Sequence, residues 1–168
     1  LLVREKDVPA CHALLRADGY FVKSDALLNA FASDQPYFHA VKPTMLELHW
    51  QFASDSQPDL PKPDIGAIWQ AARPGAPGPH PVCAFTPEDH LAHLVQHILH
   101  HRFAVPLRGY LDIALLLRKF GGRLSPQEID AASRRWRVGR AVPFVVRLAA
   151  DLFDSPPPPA LAEEAASA

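Results

Sequence analysis

A carboxylate sits in the middle of one of the most apolar stretches of this sequence. Residues 45–52 read Met-Leu-Glu-Leu-His-Trp-Gln-Phe. Strict alternation puts Leu46, Leu48, Trp50 and Phe52 on one face of a strand and Met45, Glu47, His49 and Gln51 on the other. A carboxylate buried there without a partner would cost several kcal/mol. Glu47 therefore either faces solvent on the polar side of an antiparallel sheet or is kept for chemistry.

Histidine supplies the second group. Five of the nine histidines, His90, His93, His97, His100 and His101, lie in one segment. At about 100° per residue they share an arc of a helix surface beside the apolar band of Leu91, Leu94 and Ile98. His93 and His97, and again His97 and His101, are four residues apart, a spacing that can bring two imidazoles to one metal ion. Asp112 on the next helix is placed either to complete such a site or to fix one ring by a hydrogen bond. A third group, Arg134, Arg135, Arg137 and Arg140 around Trp136, combines cations with a stacking surface of the kind that binds single-stranded nucleic acid.

Several templates are excluded. There is no GxSxG elbow and no glycine-rich phosphate loop, and Asp89-His90 reverses the His-Asp order of the metal phosphohydrolases. Cys11 and Cys83 stand far apart without CxxC spacing, so neither a disulfide framework nor a zinc knuckle is indicated and a reduced cytoplasm is the expected setting. No apolar run reaches the roughly 18 residues of a membrane span, and the first residues do not read as a charged-then-apolar secretory leader, so no membrane partner is expected.

The elements that must position these residues follow from punctuation and period. Leu1 to Arg4 reads as the end of a buried strand, opening mid-pattern without an initiating Met, which suggests a fragment whose N-terminus lies upstream. Pro9 suits a first helical turn, Val8, Cys11, Leu14 and Leu15 carry a helical period, and Gly19 ends it. Tyr20-Phe21-Val22 is a short strand, and Ala26 to Phe31 is either a helical turn or a loop. Residues 37–41 and 45–52 form a hairpin around Lys42-Pro43-Thr44. Residues 54–82, rich in Pro, Asp, Ser and Gly, form a linker and surface excursion in which Ile65 to Ala72 alone offers a helix. Thr86-Pro87-Glu88-Asp89 then starts a helix running to about Phe103, and helices over about 106–120, 126–138 and 140–154 complete a bundle.

Charge is unevenly spread over this plan. The 17 basic and 18 acidic side chains nearly cancel, but residues 101–150 hold 10 of the basic groups against 3 acidic ones. That stretch is either a solvated helix surface or a wall facing an anion such as a triphosphate. With no overall excess of positive charge, nucleic acid is not the expected partner.

Leu46-Glu47-Leu48-His49-Trp50, followed about forty residues later by Glu88 to His97, then His101-Arg102-Phe103 and Leu107-Arg108-Gly109-Tyr110-Leu111-Asp112-Ile113, resembles the uncharacterised nucleotidyltransferase family of bacteria. That family carries ELHW on a strand, a histidine-dotted LxHLxxH helix and an LRWLxD-like helix. Leu1 to Arg4 and Leu15 to Tyr20 resemble the segment after its metal-binding aspartates, where a DxDLLV strand is followed by a helix and an LGY-like turn. The resemblance covers about residues 1–150.

The resemblance implies transfer of a nucleoside monophosphate from a nucleoside triphosphate to an unknown acceptor hydroxyl, assisted by Mg²⁺. Glu47 then stands as the third carboxylate, a metal-assisting ligand. His49, His93, His97, His101, Arg102, Arg108 and Asp112 stand as substrate-side or structural candidates. The Gly-Ser turn and the Asp-x-Asp pair that such enzymes need are not found in the 168 residues, so the fragment alone is expected to be inactive. The expected architecture is α+β with an α/β start: a partial mixed nucleotidyltransferase-type sheet over 1–53, a linker over 54–82, a helical domain over 83–155 and a disordered tail over 156–168. Two other readings stay open, a non-catalytic binding or antitoxin-like remnant and a helical, His-rich metal-binding protein.

Overall fold

A computed structural model describes residues 1–23, 33–53, 59–75, 82–159 and 161–162. The Ala26 to Phe31 segment lies outside the described residues. The chain divides into two compact units, Leu1–Asp59 and Leu60–Ala168, and the architecture is mixed α+β.

In the first unit a short 3-10 turn leads into α1 (Val8–Ala17), with a proline in its first turn. Gly19 ends it at φ +87°, a conformation that L side chains rarely adopt, and a Cβ there would also lie 3.4 Å from His39 Nε2. This close turn brings β1 (Tyr20–Phe21) antiparallel to β2 (Asp34–His39), which in turn pairs antiparallel with β3 (Met45–His49). His39 fastens the β2–β3 turn, its Nδ1 accepting from the backbone N–H groups of Val41 and Lys42, both at 3.0 Å.

β3 has a second neighbour. The Leu1 nitrogen donates to the Glu47 carbonyl at 2.9 Å, His49 N–H donates to Leu1 O at 2.7 Å, and Val3 N–H donates to His49 O at 2.8 Å. These bonds form a parallel bridge centred on Leu2 and His49, so the sheet is mixed. Its order is β1, β2, β3 and then residues 1–3. Register places Gln35, Tyr37 and Leu48, each fully buried, on one face. α1 packs on that face, with His12 Nδ1 2.9 Å from Tyr37 Oη.

The second unit opens inside the span expected to be a linker. Asp64 accepts from Ala67 N–H to cap α2 (Ile65–Ala71), and β4 (Arg73–Gly75) pairs with β5 (Val82–Ala84). Four longer helices follow: α3 (Pro87–His100), α4 (Leu107–Phe120), α5 (Pro126–Trp136) and α6 (Val142–Phe153). Thr86 and Ser125 supply the expected caps of α3 and α5, accepting from Asp89 and Glu128 N–H. α3 is central, packed against α4, α5 and α6, and Leu91, Val95, Ile98, Ile113, Trp136, Val145 and Val146 form the core.

Helices α3, α5 and α6 end slightly earlier than periodicity predicts, because Arg102, Phe103, Arg137 and Asp154 all adopt left-handed backbone conformations, whereas α4 ends at Phe120 as expected. Each such non-glycine residue costs about 1–2 kcal/mol, met here by the backbone bonds that close the helix ends. Beyond Pro156–Pro159, Leu161 is 2% exposed, and Pro158 packs over Gly121, where an added Cβ would lie 3.2 Å from its Cβ. Residues 160 and 163–168 lie outside those described.

Candidate functional site

Glu47 lies in a strand hydrogen-bonded on both sides, so its Cα is fixed by the sheet while its side chain, 52% exposed, stands on the open face. His49, two residues on and therefore on the same face, holds Nε2 3.6 Å from Glu47 Oε2. Its ring stacks on Phe52 with centroids 6.1 Å apart. Asp34 is the cross-strand partner of His49, and its Oδ1 accepts from Ser33 Oγ at 2.9 Å. An imidazole thus stands between two carboxylate-bearing positions on an open sheet face. Sequence reasoning placed Glu47 and His49 there but missed Asp34, because the strand was expected to begin at Tyr37. Counting the register back from the Lys42-Pro43-Thr44 turn would have found it.

The histidine helix forms as expected, but its rings pack rather than converge. His93 lies against Phe85 and Trp136, with centroid distances of 5.5 and 5.3 Å. His101 lies against His97 at 4.6 Å and His100 at 5.1 Å. Among the described residues no group of three His, Cys, Asp or Glu side chains is placed to hold a metal ion. Desolvation holds the His90 imidazole below its usual pKa, opposed by the attraction of Asp112. Asp112 therefore acts on one ring electrostatically. Arg102, at the left-handed end of α3, and Arg108, in the first turn of α4, are exposed within the same unit.

A buried polar cluster around Asp89 was not anticipated. Asp89, 1% exposed, accepts from Arg135 Nε and an Arg135 terminal nitrogen at 3.2 and 2.9 Å, from Trp136 Nε1 at 2.9 Å and from Thr86 Oγ1 at 3.1 Å. This is the structural use of Arg135 and Trp136, taken in sequence as a stacking and cationic group. The available signal was Asp89 at the third helical position after its Thr cap, combined with a Trp whose indole N–H needs an acceptor when buried. Every oxygen of the carboxylate is engaged, which makes the cluster a fastener rather than a reactive site.

With this geometry, comparison with known proteins is informative. The sequence profile of a family described as Uncharacterised nucleotidyltransferase matches residues 1–154. The chain belongs to that family. No curated protein and no solved structure matches it. Membership supports a general nucleotidyltransferase role and, with it, a nucleoside triphosphate as substrate. No helix among the described residues is long and apolar enough to cross a membrane.

Proposed function

We propose that this nucleotidyltransferase moves a nucleoside monophosphate from a nucleoside triphosphate to an acceptor hydroxyl, with Glu47 as the third, metal-assisting carboxylate. The observation that carries this reading is the parallel ladder between residues 1–3 and β3. Paired strands present paired residues on one face, so Leu2 shares the face of His49 and Glu47. Extended backwards in the same geometry, that strand would present every second side chain beside Glu47, where an Asp-x-Asp pair meets a third carboxylate.

The donor chemistry fits Mg²⁺ only in part. Glu47 offers the hard oxygen ligand that this ion takes, but no three ligating side chains converge among the described residues. Within residues 1–168, Glu47 is the carboxylate proposed for the metal. Arg102 and Arg108 are proposed as anion-facing cations of the second unit taken by itself, and the compartment consistent with two free cysteines is the cytoplasm.

The test is nucleotide transfer from labelled triphosphates by two proteins, the 168-residue chain and the same chain preceded by a segment encoding the Gly-Ser and Asp-x-Asp motifs. Activity in the longer protein, lost on Glu47→Gln, is expected. Robust transfer by the 168 residues alone overturns the assignment of Glu47 as one of three carboxylates, and an inactive longer protein moves the chain to a binding role. Charge reversal at Arg102 or Arg108 should weaken nucleotide affinity; unchanged affinity removes them from the triphosphate.

A further inference from the structure

A depression of about 400 Å³ lies where α5 turns into α6, lined among others by Leu99, Asp130, Ser133, Arg134, Arg137 and Arg140. We propose that it binds a small phosphate-bearing molecule, with Arg137 and Arg140 as its cationic contacts and the Ser133 hydroxyl as a donor between them.

The chain path builds the site. Arg137 sits at φ 55° and closes α5, its N–H donating to Arg134 O while Val138 N–H donates to Ser133 O. This reversal brings the Gly139 turn back over Ser133, whose Cβ is 3.8 Å from where a Gly139 Cβ would stand. Ser133 is 5% exposed and lines the depression beside Arg134, Arg137 and Arg140. A serine hydroxyl on the wall of a cationic depression can donate to an anion's oxygen.

Charge identifies the acceptor class. Arg134 pairs with Asp130, whereas Arg137 and Arg140 have no acidic partner among the described residues. Three guanidinium groups against one carboxylate leave two positive charges, and a phosphate monoester carries about −1.5 to −2 at neutral pH. Guanidinium forks match phosphate oxygens in pairs. Asp130 interrupts the positive rim on the α5 side, which favours a compact anion over an extended polyanion such as nucleic acid. All of these residues belong to the Leu60–Ala168 unit, so the proposal stands apart from the role assigned to Glu47.

Calorimetric titration of the 168-residue chain with inorganic phosphate and with pyrophosphate tests it. Saturable one-to-one binding is expected, weakened by at least about tenfold in the double variant Arg137→Asn, Arg140→Gln, since each change removes a charge-assisted contact. Asn is chosen because it tolerates the left-handed conformation. Ser133→Ala, which leaves the turn intact, should weaken binding by a smaller factor, and Arg123→Ala, a charge lost elsewhere in the unit, should leave it unchanged. Tighter binding of pyrophosphate than of phosphate supports a nucleotide-type polyphosphate as the source, and equal affinity supports a monoester. The proposal is overturned by absence of saturable binding at millimolar concentrations or by equal losses in the Arg123→Ala control. It is also overturned by oligonucleotides that displace pyrophosphate with an affinity rising with length.

Discussion

Trp136 donates its indole N–H to Asp89 across 2.9 Å and 47 positions of sequence, tying the end of α5 to the first turn of α3. Arg135, 19% exposed, completes the charge balance from the neighbouring position. Removing one partner of a buried ion pair typically costs about 3–5 kcal/mol, so Asp89→Ala should lower unfolding free energy by that order in urea denaturation. Trp136→Phe keeps the ring and loses one bond to a charged acceptor, about 1.5–3 kcal/mol plus any packing change. Equal stability of Asp89→Ala and the parent would refute the fastening role.

Glu47→Gln separates function from fold. The side chain is half exposed and its strand is held by backbone bonds, so stability should change by no more than about 0.5 kcal/mol. In a protein that carries the upstream motifs, transfer should fall by more than the roughly tenfold to hundredfold typical of outer partners of a metal site. A melting temperature matching the parent together with unchanged activity would remove Glu47 from the chemistry.

His90 sets a pH dependence. Its folded pKa lies below 6.5 because desolvation disfavours the imidazolium, with Asp112 opposing. Between the folded value and 6.5 the unfolded chain binds more protons, so stability rises with pH there. The contribution is present above 6.5 and lost as pH falls through the folded value. Melting temperature across that window should fall less steeply in His90→Gln than in the parent. Asp112→Asn removes the opposing attraction and should steepen the fall.

Leu161 tests the packed tail. It is 2% exposed beyond a run of four prolines, and Leu→Ala at such a site costs about 2–5 kcal/mol. A near-neutral substitution, read by denaturation, would return the tail to the solvated role expected from composition.

What could be read in advance divides along physical lines. Thr86-Pro87 and Ser125-Pro126 announced two helix starts because capping is local: the donor and its acceptor lie three residues apart. The place of Glu47 on the exposed face of its strand was legible because a carboxylate breaks an apolar alternation. Asp34 needed one step more, since its place beside His49 follows only when the cross-strand register is counted back from the turn. The Asp89, Arg135 and Trp136 cluster left only a partial signal, because its members are 46 and 47 residues apart and meet through helix packing. The left-handed ends at Phe103 and Arg137 also escaped notice, because the residues there are not the glycines that usually mark such turns.

The ladder from Leu1 to Val3 along Glu47 to His49 has one more consequence. It occupies the outer hydrogen-bonding side of β3, and a strand stripped of such a neighbour becomes a template for a strand from another molecule. Deleting the first three residues would bare β3 as a sticky edge and turn a question of chemistry into one of solubility, with self-association growing with concentration.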